Sequence, residues 1–292
     1  MSKNNDKSLH IITFIIIILS FLTSSIGLLY TTNGKSFDFV NQYGDTVKIY
    51  GDGIYAHDSY FMAPIFRGTD FTILFFAIPL LMIALMQDVK MKTLKTRLFL
   101  TSVISIFTYI SASIAFGVTY NRLHLLYISL FSASFFGLII AVGSLNKKQV
   151  KESMGDELPR KGINIFLAIT GIALILAWLP DIISSLITGR SLELIEVYTT
   201  AITYVLDMGV IAPAALICLF LLKKQSGMGY VLLTMLLTVC VIVGIMLPIQ
   251  TAFQVRAGIK IPIIAIVTKV VSFVILAIFA LYFNIKFFKN MK

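Results

Sequence analysis

Charge is what this chain has least of. Asp, Glu, Lys and Arg make up 13% of the residues while 58% are hydrophobic, against roughly 25% charged residues in soluble domains. That balance excludes a water-soluble fold, since too little polar sequence remains to cover an apolar core. Histidine is equally scarce. His10, His57 and His124 lie far apart, so a haem or a binuclear metal centre among the helices lacks its usual ligands. The two cysteines, Cys218 and Cys240, fall within apolar segments. With no histidine near them they form no zinc-site spacing, and they read as small buried hydrophobes. Enzyme signatures are missing as well: no G-x-S-x-G, H-E-x-x-H or C-x-x-C occurs. Gly34-Lys35-Ser36 resembles the end of a phosphate-binding loop, but Leu29 stands where that loop requires glycine. No catalytic set, cofactor or metal is expected, and an enzyme is the least favoured reading.

What the chain does contain is long apolar runs. A transmembrane helix needs about 20 mostly apolar residues, and eight windows qualify, at about 9–30, 70–87, 98–119, 123–145, 163–187, 196–222, 229–252 and 261–286. The expected fold is an all-α transmembrane, eight-helix polytopic bundle, a single integral membrane domain over 1–292. The first window is longer than a signal-peptide core and reads as an uncleaved helix. Sixteen of the 24 Lys and Arg residues fall on one side of this threading, among them Lys90, Arg97, Lys147, Arg160, Lys224 and Lys289. By the positive-inside rule that side, with both termini, is cytoplasmic. The net charge of +10 is thereby explained by topology and by contact with anionic membrane lipids, and nucleic acid is not required. The expected location is a bacterial plasma (inner) membrane.

Between the first two windows, residues 31–69 form the one sizeable extramembrane segment, on the outer side. The run from Phe37 to Tyr50 reads as two short alternating strands around a Tyr43-Gly44-Asp45 turn and predicts a small β-hairpin or meander, with Ile54 and Tyr55 resuming an extended run after Gly51-Asp52-Gly53. A lone hairpin is marginal in water, so this cap should rest on the outer helix ends. Arg67-Gly68-Thr69-Asp70 reads as the lead into the second helix, with Thr69 or Asp70 as its N-cap. The charged segment 146–162 divides the chain into two sets of four helices, 1–145 and 163–292, an arrangement that permits a parallel repeat. In the fourth helix Ser129, Ala133, Gly137 and Ala141 form a stripe of small residues, suited to close packing on a neighbouring helix. Packing within the chain is the simpler reading; a homo-oligomer seam is the alternative.

Charges at membrane depth are costly and mark function or structural pairing. Asp207 is placed about twelve residues into the sixth helix and Lys269 about eight into the eighth, a depth difference of about 6 Å. They are expected either to pair with each other or to flank a hydrated cavity. Thr200, Thr203, Tyr204 and Asp207 recur at helical spacing, and Gly209 and Pro213 follow, so the helix should loosen there. Asp181, in Trp178-Leu179-Pro180-Asp181, is expected in the outer half of the fifth helix, level with Pro248, Gln250 and Gln254 of the seventh, and with Asn121, Arg122 and His124 these line a vestibule or serve as interfacial anchors. The binding candidates are therefore Asp207, Lys269, Tyr204, Thr203 and Asp181.

The strings Tyr50-Gly51-Asp52-Gly53-Ile54-Tyr55, Arg67-Gly68-Thr69-Asp70, Tyr120 to Tyr127 and Tyr198 to Asp207 resemble a pattern in bacterial eight-helix integral membrane proteins with no assigned activity. The resemblance covers nearly the whole chain and implies architecture without naming a substrate. Three functional expectations follow, in order. First comes a small-solute or ion transporter without its own ATPase. A membrane sensor or assembly component that binds a protein partner through the cap is second, and an enzyme on lipid-linked substrates third. The threading predicts that reporters fused at Lys148 and Lys224 read cytoplasmic and one inserted at Gly53 reads external. The opposite pattern would reverse the topology.

Overall fold

A computed structural model describes residues 3–155 and 157–292, apart from the side chains of residues 3–5, 265 and 269. Eight helices are long and apolar enough to cross a membrane: helix 1 (Asp6–Leu29), helix 2 (Met62–Met91), helix 3 (Leu94–Gly117), helix 4 (His124–Ser144), helix 5 (Arg160–Thr188), helix 6 (Ile202–Lys223), helix 7 (Gly227–Arg256) and helix 8 (Ile266–Asn290). The chain is a polytopic membrane protein with an all-α bundle. Large apolar side chains such as Phe14, Ile172, Leu176, Phe220 and Ile278 point outward, as a bundle solvated by lipid tails requires.

Helices 3 and 7 form the centre. They are buried over 72% and 61% of their apolar windows, against 44% or less in the other six, and they pack on each other. Around this seam the contacts run in matched pairs. Helix 1 packs on helix 2 as helix 5 packs on helix 6, helix 3 on helix 4 as helix 7 on helix 8, and helix 2 on helix 7 as helix 6 on helix 3. Small residues set the close approaches. A side chain at Gly68 would lie 2.6 Å from the Gln250 backbone, and one at Gly244 would lie 2.1 Å from the Ala277 methyl. The small-residue stripe of helix 4 serves helix 1, where Gly137 abuts Ile16 and Ile12.

Two helices loosen at matching points. In helix 2 the wide turn Ile73–Ala77 closes with the Ile78 amide donating to the Ile73 carbonyl. In helix 6 the turn Asp207–Ile211 closes with the Ala212 amide donating to the Asp207 carbonyl. Each is followed at once by proline, Pro79 or Pro213. Proline cannot donate to the helix ladder and crowds the preceding turn, and a wide turn with bonds spanning five residues is one way a helix absorbs that mismatch.

The cap holds the predicted hairpin: β1 (Phe37–Val40) pairs antiparallel with β2 (Thr46–Ile49), Phe37 opposite Ile49 and Val40 opposite Thr46. Val47 and Ile49 turn inward while β1 stays exposed. Gly53–Tyr55 is a tight helical turn rather than an extended run, with Ile54 and Tyr55 buried. The cap rests on helix ends and also on the segment between helices 5 and 6: Asn41 Nδ2 donates to the Glu196 carbonyl at 2.8 Å and Gln42 Nε2 to the Tyr198 carbonyl at 3.2 Å.

Two boundaries differ from the sequence expectation. Helix 2 begins at Met62 rather than near residue 70, so Thr69 and Asp70 are buried within it and cap nothing. The polar sequence around Arg67 hides this first stretch from hydropathy. The guanidinium is absorbed by the Tyr50 hydroxyl at 2.8 Å and the Leu28 carbonyl at 2.9 Å. Helix 6 begins at Ile202, which leaves Tyr198, Thr199 and Thr200 ahead of it. Asp207 is therefore five residues into its helix, about 8 Å from the cap end, shallower than the midplane.

At the opposite end, which holds both described chain ends, a charge cluster ties four helices together. Asp88, fully buried near the end of helix 2, accepts from Arg97 Nε and Nη2 of helix 3, both at 2.9 Å, and meets His10 Nε2 of helix 1 at 2.7 Å. Arg97 Nη1 reaches Asp6 at 2.8 Å and donates to Ser144 Oγ of helix 4 at 3.2 Å. Removing one partner of such a pair strands the other in apolar surroundings, at about 3–5 kcal/mol. Arg97→Ala is expected to lose that much stability in detergent-solubilised unfolding, far more than Lys95→Ala on the exposed side of the same helix. Equal effects would show that the cluster is not a structural tie.

Candidate functional site

The polar groups beneath the cap fall into two neighbourhoods, each built on a buried helix carboxylate. The first centres on Asp207, 5% exposed, at the start of the wide turn in helix 6. Its Oδ1 accepts from the Tyr109 hydroxyl of helix 3 at 2.8 Å and its Oδ2 from the Trp178 indole of helix 5 at 2.9 Å. Trp178 in turn stacks on Tyr204, with ring centroids 4.5 Å apart and planes 25° apart. The Tyr204 hydroxyl donates to Asp181 Oδ2 at 2.7 Å. Of the expected binding residues, Asp181, Tyr204 and Asp207 thus come together around Trp178. The Thr203 carbonyl accepts the Asp207 amide. The side chain of Lys269 lies outside the described residues, and so does the expected pairing. Among the described residues, the groups bonded to the Asp207 carboxylate are neutral donors.

The second neighbourhood includes Asp70, read from the sequence as a candidate helix N-cap. Asp70, 1% exposed, accepts from the Tyr55 hydroxyl at 2.7 Å. Gly27 of helix 1 lets the backbone pass so close that a side chain there would lie 2.0 Å from Asp70 Oδ2. Asp58, fully buried under the cap, accepts at Oδ1 from the Thr119 amide at 2.9 Å and from the Tyr198 hydroxyl at 3.0 Å. Next to it Ser59 Oγ donates to Glu196. Asp58 therefore joins the cap, the turn between helices 3 and 4, and the segment leading into helix 6. Only the start of helix 2 at Met62 makes Asp70 a membrane-depth carboxylate.

Several expected vestibule residues serve as ties instead. Gln250 Nε2 donates to Thr69 Oγ1 at 2.7 Å, and Gln254, 5% exposed, donates to the Phe61 carbonyl at 3.2 Å, so both bind helix 7 to helix 2. Asn121 accepts the Leu123 amide at 2.9 Å and shapes the turn between helices 3 and 4. Two clefts open at the surface. One, of about 200 Å³, lies on the cap side between Tyr50, Pro64, Arg67, Phe253 and Arg256. Another, of about 160 Å³, lies at the opposite end near Arg160, Asn164, Lys223 and Tyr230.

No protein-family model, curated protein or solved structure matches the chain.

Burial dominates the titration of Asp58, under the cap, and of Glu196, which meets it through Ser59. It pushes Asp58 up to about 7, although the Thr119 amide and the Tyr198 hydroxyl favour the ionised form. Glu196 is raised by burial too, partly offset by Ser59. The Tyr198 hydroxyl is held well above its ordinary value by burial and by the Asp58 charge. A carboxyl whose folded value exceeds its unfolded value of 3.8 binds protons more readily when folded. Its contribution to stability is full below the unfolded value and is lost as pH rises through the folded one. Other charges face the same region, namely Asp70 and Arg67, and Glu196 titrates in the same direction. The melting temperature is expected to fall between about pH 4 and about pH 7, and Asp58→Asn to flatten much of that slope. A slope unchanged in Asp58→Asn would place the titration elsewhere.

Proposed function

We propose that the chain is a carrier for a small solute or ion, without an ATPase of its own, set in a bacterial plasma membrane with both termini in the cytoplasm. The observation that carries this reading is the Asp207 centre. A carboxylate within a spanning helix is costly unless it serves a pathway or a pair, and this one is held by a phenol and an indole from two other helices. Charge on Asp207 can be matched by a proton or cation that arrives and leaves. A fixed ammonium on it would oppose that exchange. The wide turn at Asp207–Ile211 supports the same reading, since locally loosened helices are common where membrane carriers bind ions and substrates.

The matched packing of helices 1–4 and 5–8 supports a division into two halves, 1–145 and 163–292, that relate as a parallel repeat. The paired wide turns ahead of Pro79 and Pro213 support it too. In such a carrier the halves move against each other along the seam of helices 3 and 7. Tyr109 of helix 3 and Asp207 of helix 6 belong to opposite halves, so that motion would open and close their hydrogen bond. Binding at the site is assigned to Asp207, Tyr204, Thr203 and Asp181, and Lys269 of helix 8 is kept as a candidate for the pathway rather than as a fixed partner of Asp207.

A second reading, a sensor or assembly component acting through the cap, is favoured by the aromatic face of β1 and its turn. Phe37, Phe39, Val40 and Tyr43 are all about half exposed. Purified protein in sealed liposomes decides between the two. Proton flux read with a trapped pH dye, sodium uptake read with radiolabelled sodium, and uptake of labelled amino acids and sugars together span the ion and solute classes. Flux in one of these that falls at least tenfold in Asp207→Asn, and partly recovers in Asp207→Glu, is the expected result. Flux unchanged in Asp207→Asn would contradict the assignment of the centre and favour the second reading.

A further inference from the structure

The cleft at the end opposite the cap, of about 160 Å³, opens between helices 5, 6 and 7. Arg160 and Asn164, one turn apart at the start of helix 5, form one wall. Lys223, at the end of helix 6, and Gln225, in the turn after it, form another. Tyr230 of helix 7 is the buried polar member of the lining, 2% exposed. None of these five side chains makes a hydrogen bond or ion pair to the described residues. A phenol held that deep with its hydroxyl unpartnered is uncommon unless something in the cleft meets it.

The walls give the sign of the ligand. A guanidinium and an ammonium bring positive charge, two amides and a phenol bring further donors, and no carboxylate lines the cleft. Glu157, next to Leu158 in the chain, is exposed and is not part of the lining. Helix 5 begins at this point, and Pro159 ahead of it offers no side-chain bond to its first amides, which add to the positive field. Arginine and lysine among neutral donors match the oxygens of a phosphate. The volume sets the size: pockets for whole drug-sized molecules start at about 300 Å³, so this one takes a phosphate group and not a nucleotide. The remaining lining is apolar, Leu158, Ile163 and Leu222. Further along the same helices Ile165, Ile169 and Phe220 are exposed, and in a spanning bundle such side chains face acyl chains. A phosphate that carries acyl chains occupies the cleft and covers this surface together.

We propose that this cleft binds the phosphate of an anionic membrane phospholipid. Arg160 and Lys223 hold the phosphate oxygens, and the Tyr230 hydroxyl donates to them from below. Asn164 and Gln225 serve the rest of the headgroup. The bound lipid ties the start of helix 5 to the turn between helices 6 and 7, a basic pocket between spanning helices being a recurrent form of lipid recognition. The site shares no residue with the Asp207 centre, and it stands whether or not the chain is a carrier.

The test is thermal unfolding of the full chain in detergent micelles containing increasing dioleoyl phosphatidylglycerol or, separately, dioleoyl phosphatidylcholine. A third arm, without lipid, replaces sodium chloride by sodium phosphate at equal ionic strength. A saturating rise in melting temperature with phosphatidylglycerol, larger than with phosphatidylcholine, is expected. The half-saturating mole fraction should increase about tenfold when Arg160→Gln and Lys223→Gln are combined, the scale of one lost charge-assisted hydrogen bond. It should increase severalfold in Tyr230→Phe, which keeps the ring and removes only the hydroxyl. Lys90→Gln, an exposed cation at the same end but outside the cleft, should leave it unchanged. Equal melting in the two lipids would overturn the proposal. So would a phosphatidylglycerol shift that persists unaltered in both the double variant and Tyr230→Phe. A rise with inorganic phosphate that matches the one with phosphatidylglycerol would also overturn it, by making the ligand a free phosphate.

Discussion

A carboxylate among apolar helices must find its donors within the chain, because the surrounding lipid offers none. Much of this architecture follows from that requirement. Asp88 is satisfied by Arg97 and His10, which pins helices 1, 2 and 3 at one end, with helix 4 joined through Ser144. Asp70 is satisfied by Tyr55, which folds the cap down onto helix 2. Asp207 is satisfied by Tyr109 and Trp178, which draws helices 3 and 5 onto helix 6. Three carboxylates from two helices thus fix the angular arrangement of six.

The two ends of the bundle solve the problem in different ways. The terminal end neutralises its carboxylates with a guanidinium, giving a tie that is strong when complete and damaging when broken. Beneath the cap the bonds to Asp207 and Asp58 come from phenols, an indole and a backbone amide, which stabilise negative charge without cancelling it. One end is thus closed by paired charges, whereas beneath the cap Asp207 and Asp58 are bonded to neutral donors. The wide turns of helices 2 and 6 fall in this second region, within a few residues of Asp70 and at Asp207 itself.

Apolar length made the eight spans legible, because hydropathy reports directly on what lipid tolerates. The hairpin was legible from its alternation around Gly44, and the helix 4 stripe from its four-residue spacing. The start of helix 2 was hidden by Arg67. A guanidinium lowers hydropathy whether it faces water or is absorbed by Tyr50 and the Leu28 carbonyl, and the sequence does not distinguish the two. The cluster of Asp6, Asp88 and Arg97 was masked for a related reason, since charges near helix ends look like topology signals. Asp6 and His10, one helical turn apart, were the available hint. Tyr109 gave no signal, because a tyrosine in an apolar run is ordinary until its partner is known. The depth of Asp207 depended on where helix 6 begins, and the polar residues Tyr198 to Thr200 blurred that point by about one and a half turns.

The central claim is that the Asp207 carboxylate is held by neutral donors from two other helices rather than by a fixed cation. An experimental structure in lipid nanodiscs, resolved well enough to place side chains around Asp207 and Lys269, tests it directly. The account predicts Asp207 bonded to Tyr109 and Trp178, with no ammonium on its carboxylate. A dry ion pair joining the Lys269 ammonium to Asp207 would contradict it and make these residues fasteners of a closed bundle.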